Sequence, residues 1–346
     1  MNYYSAHTRL PFIGDAGQRK LAAGRVLVVG AGGLGCPCLQ LLAGAGIGTI
    51  GIADFDVVEL SNLQRQLLYS EKDLGRKKAW VAKEYLLQRN AAVQINVHDV
   101  FVEKQNVQQL LSGYDIVVDA TDNFLVRYLL NDACVALNKP WVYGAIHREE
   151  GQCAVFNLNG SATLRDLFPE PSSDAIPSCA VIGAYNITTA LVGGLMANEV
   201  LKVLLELDGI LVNQLLLLDA LGLKFRTIAF TADPQNRMLA SRRFSSQSLV
   251  QEITWADLQP MIASKEVRLI DVRTAAEREV SAIGGEHIPL EACLAGNHNL
   301  VPEQVIVFYC VSGVRSAQAA KAFSEKNYPS VYSLTGGIRK VQADLP

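Results

Sequence analysis

The chain has 346 residues, of which 50% are hydrophobic and 19% charged, which excludes a disordered chain and suits about two folded domains. The net charge of −3 supplies no basic field, so neither nucleic acid nor a membrane surface is expected as a partner. Seven cysteines are too few for a disulfide scaffold, and their odd number leaves at least one thiol unpaired. We therefore expect a protein of a reducing compartment, the cytoplasm.

Neither a secretory signal nor a membrane span is expected. Residues 1–14 are polar and aromatic, without a basic start or an apolar core. The most apolar stretch, 187–207, carries Asn198, Glu199 and Lys202 in its second half. Because a bilayer span needs roughly 20 uninterrupted apolar residues, this stretch is predicted to form a buried or interface helix.

Strands and helices alternate along the first two thirds of the chain. Apolar, β-branched runs predict strands at 25–30, 49–54, 93–97, 115–119 and 141–143, and apolar or amphipathic patterns predict helices at 36–45 and 77–88. Such alternation is typical of an α/β fold in which helices cover both faces of a mostly parallel sheet.

A change of composition divides the chain. Residues 231–248 are polar and contain Pro234, as is typical of a linker. After them the alternation resumes, with strands predicted at 267–271, 304–309 and 330–333 and a helix at 316–326. The predicted organisation is a first domain at 1–240, a linker at 241–248 and a smaller α/β domain at 249–346.

A glycine-rich loop points to a nucleotide. Gly30-Ala31-Gly32-Gly33-Leu34-Gly35 fits G-x-G-x-x-G and lies between a predicted strand and a predicted helix. Its glycines permit a tight turn and let backbone N–H groups approach a phosphate at the helix N-terminus. Asp54, 19 residues after Gly35, is placed to accept hydrogen bonds from ribose hydroxyls. The alternative is a glycine turn that only packs the helix on the strand.

The next segment carries a family resemblance. Asp54-Phe-Asp-Val-Val-Glu-Leu-Ser61-Asn62-Leu63-Gln64-Arg65-Gln66 closely resembles the signature of the ubiquitin-activating-enzyme-like family, the group of ThiF and MoeB. The resemblance continues through Lys77-Lys78 and Ala120-Thr121-Asp122-Asn123 and covers about residues 1–230. Those enzymes adenylate the C-terminal glycine of ubiquitin-fold proteins. It implies a Rossmann-like nucleotide-binding domain that uses ATP and Mg²⁺.

The resemblance also assigns roles to residues. Arg65 and Lys78 would neutralise charge as pyrophosphate leaves, and Asp122 would bind Mg²⁺, a hard cation that favours carboxylate oxygen. The alternative for Arg65 and Lys78 is that they are solvated surface charges. The nucleotide-binding residues predicted in this way are Gly30, Gly32, Gly33, Leu34, Gly35, Asp54, Ser61, Asn62, Arg65, Gln66, Lys78, Asp122 and Asn123.

The chain departs from the family pattern at two places. Many relatives hold a structural zinc with two C-x-x-C pairs, but residues 163–166 and 233–238 contain no cysteine. No zinc is predicted, and packing alone is expected to stabilise that region. In relatives an N-terminal arginine reaches the neighbouring subunit's ATP; here Ala6 stands at that place, and Arg9 is near enough in sequence to substitute. The resemblance implies a homodimer, for which the apolar helix at 188–205 offers a surface.

One cysteine of this domain is a candidate for covalent chemistry. Cys179 falls in a segment that in relatives crosses the active site and bears a cysteine linked to the carrier protein; the alternative is a small buried thiol. The other cysteines of the domain lie in apolar helix or strand patterns and are predicted to serve packing: Cys36, Cys38, Cys134 and Cys153.

The C-terminal domain presents a second cysteine. Cys310-Val311-Ser312-Gly313-Val314-Arg315-Ser316 follows a predicted strand and opens a helix, an arrangement of backbone N–H groups that favours a thiolate and can cradle an anion. The loop resembles that of rhodanese-type sulfurtransferases, in which the cysteine carries a persulfide; Arg315 would help to stabilise it. The alternative is a phosphatase loop, but that class usually has five residues between cysteine and arginine, whereas here there are four. The shorter loop suits one sulfane sulfur better than a phosphate.

Two functions follow from these resemblances. The first is ATP-dependent adenylation of the C-terminal glycine of a ubiquitin-like sulfur-carrier protein with a Gly-Gly tail. Sulfur from the Cys310 persulfide, supplied by a donor such as a cysteine desulfurase, would then give a thiocarboxylate. The catalytic residues would be Cys310, Cys179, Arg65 and Arg315. The second is a nucleotide-binding scaffold with little adenylation activity that docks a carrier for the rhodanese domain. An NAD-dependent dehydrogenase would explain the glycine loop but not the segment from Ser61 to Gln66.

Overall fold

The computed structural model describes residues 3–169, 183–245, 251–326 and 328–344. The chain divides into two compact units, Met1–Ser245 and Ser246–Pro346. We describe each unit by itself.

The first unit is built on one sheet of eight strands. These are β1 (Arg25–Val29), β2 (Thr49–Ala53), β3 (Gln94–His98), β4 (Ile116–Asp119), β5 (Trp141–His147), β6 (Glu150–Phe156), β7 (Gln214–Asp219) and β8 (Lys224–Ala229). Their order in the sheet is β3-β2-β1-β4-β5-β6-β7-β8. Strands β1 to β5 pair in parallel, and β6, β7 and β8 add an antiparallel extension. This is the predicted Rossmann-like, mostly parallel sheet.

Helices cover both faces of this sheet. They are α1 (Ser5–Thr8), α2 (Gly14–Ala23), α3 (Gly35–Ala45), α4 (Lys78–Arg89), α5 (Lys104–Ser112), α6 (Phe124–Ala136), α7 (Leu164–Leu167), α8 (Asn186–Leu205) and α9 (Pro234–Ser245). Successive residues of β1 point to opposite faces, so Val26 and Val28 join one core cluster while Leu27 and Val29 join the other. Helices α2, α3, α4 and α8 complete the first cluster, and α5, α6 and α7 the second. A strand buried on both faces reads as a continuous apolar run, which is why β1 was predictable.

Helix α8 is long and apolar enough to span a membrane by length and composition alone. In the folded unit, Val192, Met196 and Val200 are buried in the first core cluster, and α8 packs against α3, β5 and β6. It is thus partly buried in the core of the unit, which agrees with the first of the two predicted alternatives, a buried or an interface helix.

The predicted linker is partly wrong. Residues 234–245 form helix α9, which packs on α6 and buries Ala240 completely. The composition is polar because most of this helix faces water. Its first turn is nevertheless hydrogen-bonded to the first unit. Arg237 donates to the carbonyl of Ser161 at 2.7 Å. Residues 241–245 therefore belong to the first unit.

The second unit is a smaller parallel α/β layer. Its strands are β9 (Gln251–Ile253), β10 (Val267–Asp271), β11 (Glu286–His287), β12 (Val305–Tyr309) and β13 (Val331–Leu334), in the order β11-β10-β12-β13-β9. Its helices are α10 (Trp255–Ala263), α11 (Ala275–Val280), α12 (Leu290–Ala295), α13 (Val314–Glu325) and α14 (Gly337–Asp344). All pairings are parallel, with α12 and α13 on one face and α10 and α14 on the other.

Candidate functional sites

The glycine-rich loop lies where the strand order of the first sheet reverses. The chain runs outward from β1 to β2 and β3 on one side, and β4 lies on the other side of β1. At such a switch point the carboxyl ends of the two central strands leave a crevice for a ligand. The loops after β1 and β4 meet there, since a Cβ atom on Gly30 would lie 2.7 Å from the carbonyl oxygen of Ala120.

Close backbone approach explains two of the glycines. Gly30 has φ +94°, and a Cβ on Gly35 would lie 2.0 Å from the carbonyl oxygen of Gly30. The middle of the loop is different, because a Cβ on Gly32 would meet only the side-chain nitrogen of Gln66, at 3.6 Å. The outer glycines thus shape the turn, and Gly32 borders open space of the kind a phosphate needs.

Asp54 holds the glycine loop. Its Oδ2 atom accepts a hydrogen bond from the backbone N–H of Ala31 at 2.7 Å, and Oδ1 accepts one from the N–H of Asp56 at 2.8 Å. Burial raises the pKa of this carboxyl. A carboxylate has about four lone-pair sites, so these two bonds leave acceptor capacity for a ribose hydroxyl.

Two amide side chains of the family motif are buried, and their oxygens have no partner in the part of the chain that the structure describes. Asn62 and Gln66 are 7% and 4% exposed, and among the described residues neither Asn62 Oδ1 nor Gln66 Oε1 has a hydrogen-bond partner. Asn62 Nδ2 donates to the Ser61 hydroxyl at 3.2 Å. Buried polar groups are normally paired, so these amides fit a polar ligand beside the loop. Because amide oxygen and nitrogen can exchange places, each side chain can turn its NH2 group toward a phosphate or its oxygen toward a ribose hydroxyl.

Two cations flank the same loop. Arg65 donates to the carbonyl of Ser61 at 2.9 Å, and its Cδ atom lies 3.6 Å from where Gly33 would carry a Cβ. Lys78 is the first residue of α4 and only 6% exposed, with Nζ 3.1 Å from Asp56 Oδ2. A lysine is almost never buried unless it is paired. For Lys78 the alternative of a solvated surface charge is therefore wrong.

The loop after β4 carries the remaining predicted residues. Asp122 is exposed, and Asn123 caps α6, its Oδ1 accepting from the N–H groups of Leu125 and Val126. The cap gives Asn123 a structural reason for its position in addition to the predicted one. It also fixes the backbone on which Asp122 stands.

Sequence reasoning missed the ion pair that holds this loop. Arg127 Nε donates to Asp119 Oδ2 at 2.9 Å, and Arg127 Nη2 donates to the carbonyls of Thr121 at 2.9 Å and Gly144 at 3.1 Å. Asp119 is completely buried and Arg127 is 4% exposed. The available signal was an aspartate ending an apolar strand, with an arginine eight residues later.

The region where relatives carry zinc is held by hydrogen bonds, so the expectation of packing alone is wrong. Asp166 Oδ2 accepts from the N–H and hydroxyl of Thr163, at 2.6 and 3.0 Å. Asp166 Oδ1 accepts from the N–H of Asp233 at 2.8 Å and from Asn236 Nδ2 at 3.1 Å. Within the described ranges, no group of three or more His, Cys, Asp or Glu is placed to hold a metal. One carboxylate thus joins α7 to the start of α9.

The cysteines of the first unit divide as the sequence indicated, as far as they are described. Cys36, Cys38, Cys134 and Cys153 are fully buried, which confirms the packing interpretation. Burial raises the pKa of both Cys36 and Cys38 to about 12, so neither is a ready nucleophile. Cys179 lies outside the described residues.

In the second unit, Cys310 follows β12 and precedes α13. It is 1% exposed, and its Sγ accepts a hydrogen bond from the backbone N–H of Gly313 at 3.2 Å. The Ser316 hydroxyl lies 3.6 Å from the same sulfur. The N–H of Ile338, in the first turn of α14, donates to the Cys310 carbonyl at 2.9 Å, so α14 helps to fix the loop. Such a loop can hold a thiolate or one extra sulfur atom.

Arg315 is engaged by a carboxylate. Its two terminal nitrogens donate to Glu277 at 2.8 and 2.5 Å, and these bonds lower the pKa of Glu277 to about 2. Beneath this pair, Asp271 forms a bidentate pair with Arg273 at 2.9 and 2.7 Å. Burial alone would raise the pKa of Asp271, but the hydrogen bonds from Arg273 outweigh it and lower the pKa. The charge of Arg315 at the Cys310 loop is therefore paired with that of Glu277.

Comparison with known proteins agrees with both units. Residues 4–238 match the ThiF family, and residues 254–344 match the rhodanese-like domain. The chain is 36% identical to the probable adenylyltransferase/sulfurtransferase MoeZ of Mycobacterium tuberculosis, over 99% of this chain and 94% of that protein. It is 35% identical to the adenylyltransferase and sulfurtransferase MOCS3 of Anopheles gambiae, over 97% and 85% of the two chains. It is 45% identical to a Thermus thermophilus sulfur carrier protein adenylyltransferase, over 68% and 89%.

Solved structures show the same fold for the first unit. A crystal structure of E. coli MccB with MccA-N7isoASN gives a TM-score of 0.61 at 21% identity, over 67% of this chain and 73% of that one. E. coli MccB with ATP gives 0.59 at 23% identity, over the same shares. The family and fold predictions are confirmed: this chain belongs to the ThiF family and carries a rhodanese-like domain, the domain pair of the adenylyltransferase/sulfurtransferases.

Proposed function

We propose that this protein uses ATP to adenylate the C-terminal glycine of a ubiquitin-like sulfur-carrier protein and then transfers sulfur to it. The observations that carry the proposal are the buried Lys78, paired with Asp56, and the buried amides of Asn62 and Gln66, whose oxygens have no partner among the described residues. A free carboxylate is a poor electrophile, and adenylation gives it a good leaving group. The carrier would end in Gly-Gly, since an extended small-residue tail can reach a buried phosphate.

The proposed first step needs cations more than it needs an acid or a base. The carrier carboxylate oxygen bonds to the α-phosphorus, the bond from that phosphorus to the pyrophosphate oxygen breaks, and pyrophosphate leaves. Arg65 and Lys78 would offset the growing negative charge, with the glycine-loop amides as fixed donors. Asp122 would supply one carboxylate to Mg²⁺, which usually keeps several waters and phosphate oxygens as its other ligands. No zinc is proposed.

The proposed second step belongs to Cys310. The outer sulfur of its persulfide would attack the acyl carbon, AMP would leave, and an acyl disulfide would join Cys310 to the carrier. A second thiol, for which Cys179 is the candidate, would then attack Cys310 Sγ and release the carrier as a thiocarboxylate. The resulting protein disulfide takes two electrons from a thiol reductant to reset.

A protein persulfide, such as that of a cysteine desulfurase, is the proposed sulfur donor. Arg315 is the only cation between Cys310 and Ser316, and Glu277 neutralises it. The loop therefore offers no excess positive charge to a small anionic donor. The carriers proposed are those of molybdopterin, thiamin or tRNA-thiolation type, and the proposed compartment is the cytoplasm.

A homodimer is proposed as the active form. Asn90 donates to the Tyr4 hydroxyl at 2.8 Å, and the Tyr4 ring packs against Gly46, just beyond the C-terminal end of α3. The phosphate loop precedes the other end of this 11-residue helix, about 16 Å away. Arg9 follows α1 by one residue. We infer that it lies nearer this far end of α3 than the phosphate loop, so its proposed role would need a second subunit.

Isotope exchange between ATP and pyrophosphate tests this proposal. The full chain with a Gly-Gly carrier should exchange, a carrier lacking the last glycine should not, and Lys78→Ala should lose most of the activity. Cys310→Ser should keep the exchange but yield no thiocarboxylate by mass spectrometry. ATP binding without exchange by any carrier would instead support the scaffold function.

A further inference from the structure

Tyr69 is a buried residue with no part in the function described so far. It is 7% exposed and follows the family motif by three residues. Its hydroxyl donates to the carbonyl oxygen of Ala31, in the glycine loop, at 2.7 Å. The same hydroxyl lies 3.4 Å from the carbonyl oxygen of Lys78, and the Tyr69 N–H bonds the Gln66 carbonyl at 3.1 Å. One side chain thus touches the loop, the motif and the start of α4.

The Ala31 carbonyl is held by a second donor as well. Cys36 Sγ lies 3.3 Å from the same oxygen, where its S–H is a weak donor. On the other side of the residue, Asp54 Oδ2 holds the Ala31 N–H at 2.7 Å. Both peptide groups that flank Ala31 are therefore fixed by side chains distant in sequence.

The orientation of the next amide follows from peptide geometry. The carbonyl of Ala31 and the N–H of Gly32 belong to one planar trans peptide group, in which C=O and N–H point in opposite directions. Because Tyr69 draws the oxygen toward the core, the Gly32 N–H points away from the core. Gly32 is also where the loop borders open space, with Gln66 as the nearest side chain.

We propose that Tyr69 is a positioning residue for ATP: its hydroxyl holds the Ala31 carbonyl and thereby aims the Gly32 N–H at a phosphate. This inference rests on the proposed function, since ATP is the ligand to be positioned. Without the hydroxyl, the peptide can rotate, and the phosphate must reorder it on binding. The loss of one hydrogen bond of this kind corresponds to about a five- to tenfold weaker ATP affinity.

Calorimetric titration with ATP separates positioning from folding. Tyr69→Phe should raise the Kd for ATP about five- to tenfold while the number of sites per chain stays unchanged. A purely structural role would reduce the number of competent sites and leave the Kd of the remaining ones unaltered, and that result would overturn the proposal. Cys36→Ala, which removes the weaker donor, should raise the Kd about twofold, so the inference does not depend on one variant.

Tyr128→Phe is the matched control. Tyr128 is 5% exposed, and its hydroxyl donates to the backbone carbonyl of Phe168 at 2.9 Å, away from the glycine loop. Tyr128→Phe should lose about as much stability as Tyr69→Phe but keep the wild-type Kd for ATP. If Tyr69→Phe binds ATP like wild type while exchange remains intact, the positioning role is wrong and the proposed function stands. If wild type binds no ATP, both are wrong.

Discussion

Replacing Asp166 with alanine should loosen the C-terminal helix of the first unit. The carboxylate accepts four hydrogen bonds, two within its own turn from Thr163 and two from the start of α9, at Asp233 and Asn236. The bonds to α9 close a chain separation of 67 to 70 residues.

The expected loss can be worked from these contacts. A hydrogen bond to a charged group contributes about 1.5 to 3 kcal/mol when well shielded, but Asp166 is only half-buried and its bonds are not additive. We therefore expect Asp166→Ala to lower the free energy of unfolding by about 2 to 3 kcal/mol. For a unit of this size that corresponds to about 4 to 12 °C in Tm.

The assay is thermal unfolding of the full chain, with and without a chelator. Asp233→Ala is the control, because the bond to Asp166 uses the backbone N–H of Asp233 and survives the substitution. That variant loses only its own side-chain bond to the Gln235 N–H, at 2.8 Å, and should cost less than about 1 kcal/mol. The chelator should leave the Tm of wild type and of both variants unchanged. Equal losses in the two variants, or a lower Tm of wild type in chelator, would refute the hydrogen-bonded link.

Three further predictions concern the two sites. Gly32→Ala should keep the Tm but weaken ATP binding at least about tenfold, whereas Gly35→Ala should impair folding, since its Cβ would lie 2.0 Å from the Gly30 carbonyl oxygen. Calorimetry measures the first effect and the yield of soluble protein the second. Tight ATP binding by Gly32→Ala would contradict the placement of a phosphate at Gly32. Arg127→Leu should cost about 3 to 5 kcal/mol in urea unfolding by leaving Asp119 buried and unpaired; a loss below about 1 kcal/mol would argue against the pair. Glu277→Gln should cost about 1 kcal/mol at neutral pH, because a third of each partner is exposed. The pKa of Glu277 is lowered from 4.5 to about 2, so this stabilisation is complete above pH 4.5 and is lost as the pH falls toward 2; a gap between wild type and variant that persists at pH 2 would contradict the assignment.

Local sequence carried the fold class and the positions of most strands. Strands β1 and β4 are apolar on both faces, so their runs are continuous and easily read. Helix α9 escaped notice because, of its residues 234–244 whose burial the structure describes, Ala240 alone is fully buried. Most of its other residues are polar, so it resembles a linker in composition. Its place in the first unit rests on packing against α6 and on hydrogen bonds to Ser161 and Asp166, which no periodic pattern connects with it.

By itself, the sequence determined the two domains, the family and which residues could carry the chemistry, because motif residues are fixed by type and spacing. Only the tertiary structure decided that Lys78 is buried against Asp56 and that Tyr69 holds the Ala31 carbonyl. The reason is physical: the Tyr69 contact joins residues 38 apart and the Lys78 contact residues 22 apart. Burial and orientation at such separations follow from how strands and helices pack, and short-range patterns carry no record of them.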